Sequence, residues 1–183
     1  MNKLKSSWLG FFLLGTVLVT SCDKADNPEP QDENELITTL NLKFTESGTS
    51  NQQTFTFRDA DGEGGQAPSK FDNITLKANT TYRLDVEVLD ESKNPSENIT
   101  SEIEEKKDEH LFVYTITPAG LGTYTYGDKD SKNLNVGLTG SLRTAAAGTG
   151  KFRVQLRHQS GTKDGTPAPG SNDIEVEFNL TVN

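Results

Sequence analysis

The sequence predicts an all-β fold, an immunoglobulin-like antiparallel β-sandwich with one short inserted helix. Three observations lead to this prediction. Several runs alternate apolar with polar residues, and clusters of Gly, Asn, Asp and Pro separate the runs. About 148 residues follow the N-terminal segment, which is enough chain to bury one core between two sheets.

The alternating runs are the predicted strands. In residues 40–44, 55–58 and 82–88 every second side chain is apolar, so each run has one face for the core and one for solvent. The later runs of the same kind are residues 111–117, 134–142, 152–159 and 174–182.

One segment between the strands has a helical pattern. Residues 98–109 are rich in acids, and Ser101 followed by Glu104 has the spacing of a capping box. Ile99, Ile103 and the following His110 fall near one face at helical spacing. We therefore predict a short helix that covers one end of the sandwich.

The N-terminus is typical of a secretory signal. Lys3 and Lys5 precede an uncharged apolar run over residues 8–19, and small residues lead to Cys22, the single cysteine of the chain. The run is shorter than the roughly 20 residues that a membrane-spanning helix needs. We predict a signal peptide over residues 1–21, a tether over residues 22–35 and the sandwich over residues 36–183.

The residues that lead to Cys22 resemble a bacterial lipobox, although Val19 stands where the lipobox most often has Leu. The resemblance implies that Cys22 becomes the first residue and carries fatty acids such as palmitate. The protein would then be anchored in the outer membrane, facing the periplasm or the cell surface. The alternative is an ordinary cleavable signal followed by an unpaired cysteine.

The segment after Cys22 is a predicted flexible tether. Residues 23–35 contain two prolines, several acids and no apolar residue except Ala25, so they cannot bury a core. Acids directly behind a lipidated cysteine also resemble the surface-export signals of some Gram-negative lipoproteins. A plain spacer explains the same composition.

Charge and composition exclude several functions. Removal of residues 1–21 takes away two lysines and no acid, which leaves 16 basic and 27 acidic side chains and a net charge of −11. A chain this acidic lacks the basic footprint that nucleic acids require. No Ser lies in a Gly-x-Ser-x-Gly motif, and no thiol is free once Cys22 is lipidated. We expect a non-enzymatic protein.

The two histidines, His110 and His158, are the first candidates for a binding site. Each is in phase with the apolar residues of its strand, so both are expected to point inward. Together with one or two of Glu102, Glu105 and Glu109 they would offer ligands that suit zinc or another divalent metal. The alternative is a structural or a surface role for each histidine.

A second candidate site follows the strand that ends at Arg58. Asp59, Asp61 and Glu63 alternate with small residues in a glycine-rich loop, as oxygen ligands for calcium do. The twelfth position of an EF-hand-type loop is Lys70, so the bidentate carboxylate is missing and Asp72 would have to replace it. An ordinary acidic turn without an ion is the alternative.

Residues 59–65, 90–110 and 156–159 are similar to a family of small exported bacterial β-sandwich lipoproteins, often labelled type 1 periplasmic-binding-fold proteins. That label implies a two-lobed α/β fold, which the β pattern of this chain contradicts. The resemblance implies an extracytoplasmic binding role, with Asp59, Asp61, His110 and His158 at matching positions. We add the hypothesis of a role beside an outer-membrane uptake receptor.

Two functional hypotheses follow from the sequence. The first is a lipid-anchored protein of the cell envelope or surface that captures a small ligand or a metal ion. The second is an interaction or adhesion module that docks another protein through a sheet edge and holds no small ligand.

Overall fold

The computed structural model describes residues 35–62 and 64–183. The predicted signal peptide, Cys22, the tether up to residue 34 and the loop residue Glu63 lie outside the described residues. In the part of the chain that is described, no helix has the length and apolar character needed to cross a membrane.

The described residues form two packed β-sheets and one short α-helix, as the alternating pattern predicts. In chain order the elements are β1 (Thr39–Glu46), β2 (Gln52–Arg58), β3 (Lys70–Phe71), β4 (Ile74–Leu76), β5 (Thr81–Asp90), β6 (Glu97–Asn98), α1 (Ile99–Glu105), β7 (His110–Thr117), a 3-10 turn (Ala119–Leu121), β8 (Gly122–Tyr126), β9 (Thr139–Thr144), β10 (Gly148–His158) and β11 (Ser171–Val182).

The larger sheet has the strand order β3-β2-β1-β5-β9-β8, and β6 pairs with β5 beside this path. The smaller sheet has the order β4-β11-β10-β7. The strands pair antiparallel except for β4, which runs parallel to β11. The predicted all-β sandwich with one short helix is therefore confirmed.

The core lies between the two sheets and is built from the inward face of each strand. Phe44 of β1 lies at its centre, where its ring makes edge contacts with Phe55, Tyr82 and Phe152 at centroid distances of 5.9, 6.2 and 6.1 Å. Phe152 belongs to the smaller sheet, so this contact joins the two layers. Aromatic pairs of this geometry contribute about 0.5–1.5 kcal/mol beyond the burial of their area.

The helix begins three residues earlier than the capping-box spacing predicts. Asn98 is its N-cap and accepts a hydrogen bond from the Thr100 amide at 3.1 Å, so Ser101 lies inside the helix. Ile99 and Ile103 are buried as predicted. Helix α1 ends at Glu105, and His110 begins strand β7 instead of extending the helical face.

The predicted strand over residues 134–142 is correct only in its second half, because β9 begins at Thr139. The residues before it form a loop around Asp130, whose Oδ1 accepts the backbone amides of Lys132 at 2.9 Å and Leu134 at 2.8 Å. These local hydrogen bonds compete with strand pairing, which explains why the apolar alternation misled the prediction.

A buried ion pair connects the loops at one end of the sandwich. The Lys163 ammonium lies 2.9 Å from the Asp130 carboxylate, and neither side chain is exposed. It also donates to the Lys107 carbonyl at 2.7 Å, in the turn that leads into β7. Burial alone would raise the pKa of Asp130, but Lys163 and the Leu134 amide outweigh burial and hold that pKa below its usual value.

Loss of one partner of this ion pair is expected to destabilise the protein, because the other partner stays buried with an unpaired charge. Lys163→Met leaves Asp130 buried without a counter-charge, which should lower the free energy of unfolding by about 3 kcal/mol. Because the pKa of Asp130 is depressed on folding, its contribution is complete at neutral pH and is lost as the pH falls. Urea denaturation of the metal-free protein at neutral pH measures the effect.

Asp130→Asn added to Lys163→Met removes the orphaned charge and should restore more than half of the loss. Lys151→Met, at an exposed lysine, is the control and should change stability by no more than about 0.5 kcal/mol. Strictly additive effects of the two changes would contradict a coupled buried pair.

Candidate metal centre

The two histidines meet at the end of the smaller sheet. The antiparallel register of β7 and β10 places His110 directly opposite His158, and their ring centroids are 4.8 Å apart. His110 is 0% exposed and His158 is 5% exposed. The structure thus brings together the two residues that the sequence singled out for their inward phase.

Asp173 reaches the same place through a β-bulge that the alternating pattern does not reveal. Leu156 pairs with Ile174 but Arg157 pairs with Asn172, so Asp173 is the extra residue of strand β11. Simple alternation would put Asp173 on the outer face, but a bulge changes the direction of a side chain. The Asp173 side chain is completely buried beside both histidines.

Glu35 is the fourth member of the cluster, although the composition of the sequence predicted it to be the last residue of the tether. It precedes β1 by four residues, and its Oε2 atom lies 3.4 Å from His110 Nε2 and 3.7 Å from His158 Nδ1. Its side chain is almost fully buried. Nothing in the local sequence distinguishes Glu35 from its acidic neighbours, so only the folded chain identifies it.

His110 has the outer hydrogen bond that orients a metal ligand, and His158 has a carboxylate nearby. His110 Nδ1 lies 3.1 Å from the Lys106 carbonyl, which can only accept, so Nδ1 carries the proton and Nε2 is free to bind. His158 turns Nδ1 to the cluster, and its Nε2 lies 3.8 Å from a carboxylate oxygen of Glu109. Metal-bound histidines usually have a backbone carbonyl or a carboxylate beside the nitrogen that does not bind the ion.

The spacing of the ligand atoms suits one ion with four ligands. One ligand atom from each of Glu35, His110, His158 and Asp173 can be chosen so that all lie within 4.8 Å of one another. Asp173 approaches each histidine to 3.8 Å. Ligands of a tetrahedral zinc ion lie about 3.4 Å apart, because zinc bonds to nitrogen and oxygen are about 2.0–2.2 Å long. The closer pairs would need to contract by a few tenths of an ångström, and the widest pair by up to about 1.4 Å, to complete such a shell.

The charges of the cluster indicate a divalent cation. Burial would raise the pKa of Glu35, but His110 beside it holds that pKa below its usual value. Burial raises the pKa of Asp173 to about 7, and the neighbouring Glu35 carboxylate adds to the shift. An ion that displaced the protons of the cluster would leave two neutral imidazoles and two carboxylates, which balance the charge of a divalent ion such as Zn²⁺.

The cluster is not satisfied by the protein alone. Both ring nitrogens of His158 and both carboxylate oxygens of Asp173 are buried and have no hydrogen-bond partner among the described residues. Each such buried polar atom costs about 1–3 kcal/mol. A bound ion would explain His158 Nδ1 and the Asp173 oxygens, which face the cluster, whereas His158 Nε2 faces Glu109.

The helix acids predicted as ligands lie at different distances from this centre. Glu109 is near His158 Nε2 but outside the group of four ligands. Glu102 instead pairs with Lys106 at 2.9 Å, and Glu105 is exposed on the helix. Glu35 and Asp173, from the two ends of the domain sequence, take the positions that the helix acids were expected to fill.

The predicted calcium loop follows β2 on the other sheet. Asp59 is buried and Asp61 is exposed, whereas Glu63 lies outside the described residues. Asp72 accepts the Thr56 amide at 2.8 Å, which gives it a structural role at β2. Calcium binding by this loop stays a prediction.

A groove of about 800 Å³ is lined by Asp59 of the predicted calcium loop and by Glu35 and Asp173 of the cluster, but by neither histidine. It is within the size range of small-molecule pockets. Its apolar lining includes Phe57 and Ile174, and its acidic lining comes from four side chains, with no basic residue among the described residues that form it. The four acidic residues are Glu35, Asp59, Asp173 and Glu175.

Without a bound ion, the buried carboxylates of the cluster should lower the stability of the protein. Asp173→Asn removes a buried charge with no hydrogen-bond partner, and the new amide can donate to Glu35. We therefore expect the free energy of unfolding in the presence of EDTA to rise by about 1–3 kcal/mol. Urea denaturation measures the change, with Glu177→Gln, an exposed acid on the same strand, as the control. A loss of stability in Asp173→Asn would contradict this description of the site.

Comparisons with protein-family models, curated proteins and solved structures identify no relative of the chain. No family model matches it, and neither a curated protein nor a solved structure shows a significant match.

Proposed function

We propose that this protein is a lipid-anchored binding protein of the cell envelope that captures a divalent transition metal ion. The ion would be held by Glu35, His110, His158 and Asp173. Cys22 would carry the lipid that keeps the domain at the outer membrane, facing the periplasm or the cell surface. A partner receptor for uptake in that membrane is part of the same hypothesis.

The orphaned polar atoms of His158 and Asp173 are the single observation that carries the proposal. Buried polar groups in proteins nearly always have a partner. Water could satisfy some of these atoms, but two imidazoles and two carboxylates converging within 4.8 Å are the donor set of a metal ion. The orienting contact from His110 Nδ1 to the Lys106 carbonyl adds independent support.

The donor set favours zinc or a neighbouring first-row metal over calcium or magnesium. Imidazole nitrogen suits zinc, copper, iron and nickel, whereas calcium and magnesium prefer oxygen ligands alone. Four protein ligands also fill a tetrahedral shell. Such closed sites hold an ion, while catalytic zinc sites keep one position for water or substrate.

The second hypothesis, a docking module without a small ligand, has one feature in its favour. Phe71 on the edge strand β3 is 49% exposed. Its ring nevertheless packs against Phe57 and Phe178 at centroid distances of 5.3 and 5.4 Å, which gives it a structural role between the sheets. The metal-binding proposal explains more of the buried polar groups and is preferred.

The proposal predicts stoichiometric metal in the purified full-length protein. Elemental analysis of protein purified without chelators from metal-supplemented cells should give about one divalent first-row ion per chain. His110→Ala combined with His158→Ala should abolish it, and Glu35→Gln should reduce it strongly because a neutral amide replaces a charged carboxylate ligand. A metal-free wild-type protein that also fails to bind added zinc would refute the proposal.

Variants of the helix acids are the matched controls for this experiment. Glu102→Gln and Glu105→Gln each remove one carboxylate from helix α1 and should leave the metal content unchanged. Glu109→Gln should weaken zinc affinity by about 10- to 100-fold, as expected for a carboxylate that orients a metal-bound histidine. If Glu102→Gln lost the ion and Glu35→Gln retained it, the set of four ligands would be wrong.

The anchor is tested separately at Cys22. Cys22→Ala should end the incorporation of labelled palmitate and shift the protein from the membrane to the soluble fraction, because no lipid can be attached. Asn27→Ala, in the predicted tether, is the control and should remain in the membrane fraction. Absence of label in the wild-type protein would contradict a lipid anchor while leaving the metal site untouched.

A further inference from the structure

A second acidic pair, the buried Asp59 and the exposed Asp61, lies at the turn that follows β2, and Asp59 lines the same groove. Asp59 is 8% exposed, and its Oδ1 atom is buried with no hydrogen-bond partner among the described residues. The Asp59 amide donates to the Thr38 carbonyl at 2.8 Å, so the residue is held firmly at the end of the strand pair. Because Asp59 lines the groove, an occupant of the groove could reach this carboxylate.

Asp61 is held beside Asp59 by the shape of the loop. Its Oδ2 atom accepts the Gln66 amide at 2.8 Å. A Cβ atom on Gly65 would lie 2.4 Å from the same oxygen, so a larger residue there would displace the Asp61 side chain. Burial together with the neighbouring Asp61 carboxyl raises the pKa of Asp59.

The basic residues on either side of the loop do not neutralise this pair. Arg58 bonds Glu91 at 2.6 Å, and Lys70 lies 3.2 Å from Asp72. The groove itself has no basic residue among the described residues that line it. We therefore expect a cation from solution to balance the charge of Asp59 and Asp61.

We propose that Asp59 and Asp61 bind a calcium ion at the edge of this groove, where Asp59 lines it, as a site separate from the histidine centre. Carboxylates of this kind are hard oxygen ligands, and no imidazole belongs to the pair. Calcium accepts such ligands in irregular arrangements and completes its shell with carbonyls and water, whereas magnesium demands a nearly ideal octahedron. The protein would then hold two cations of different chemistry, one at each site.

Isothermal titration of the EGTA-treated full-length protein in a non-ionic detergent tests this site, with calcium chloride as the probe at constant ionic strength. We expect one calcium ion per chain with a Kd of about 10⁻⁴ to 10⁻³ M, the range of extracellular modules. Asp59→Asn and Asp61→Asn should each weaken binding at least tenfold. Asp61 is exposed, so its variant keeps the test valid if Asp59→Asn fails to fold.

Two controls separate this site from general screening and from the histidine centre. Glu104→Gln, an exposed acid of helix α1, should bind calcium like the wild type, and magnesium should bind much more weakly. His110→Ala combined with His158→Ala should retain calcium.

Three results would overturn the proposal. They are no saturable calcium binding, unchanged affinity in Asp61→Asn, and loss of calcium in the double histidine variant. None of them would affect the zinc measurement.

Discussion

The register between strands β7 and β10 is the constraint on which the candidate centre depends. It sets His110 opposite His158 at the ends of two paired strands. If one strand slipped by one residue against the other, its histidine and its apolar side chains would turn to solvent. Side chains alternate between the two faces of a sheet, so such a slip reverses every one of them. The packing of Phe112, Phe152 and Leu156 in the core therefore also keeps the two imidazoles together.

Around this pair, two irregular features supply the carboxylates. The bulge in β11 turns Asp173 inward, and the segment before β1 brings in Glu35. The cluster therefore links the smaller sheet to the residue at which the predicted tether ends. An ion in the centre would bind Glu35 to the rest of the domain. Metal binding and the attachment of the segment that begins the domain would therefore be coupled.

The regular parts of the fold and the two histidines could be predicted from the sequence because both follow alternation. The strand runs and the inward phase of His110 and His158 depend on period-two patterning, which the sheets preserve. Asp173 could not be predicted, since a bulge breaks the period without a sequence marker. Glu35 is brought in by a contact across 75 residues, and the acids of the nearby helix were favoured only because they lie close in sequence.

X-ray absorption spectroscopy at the metal edge of the loaded protein is the most direct test of the metal centre, because it counts and identifies the ligands. We expect a four-coordinate shell with two imidazole nitrogens and two carboxylate oxygens at about 2.0–2.2 Å. A shell made only of oxygen, or one with a single imidazole, would contradict a centre built on His110 and His158.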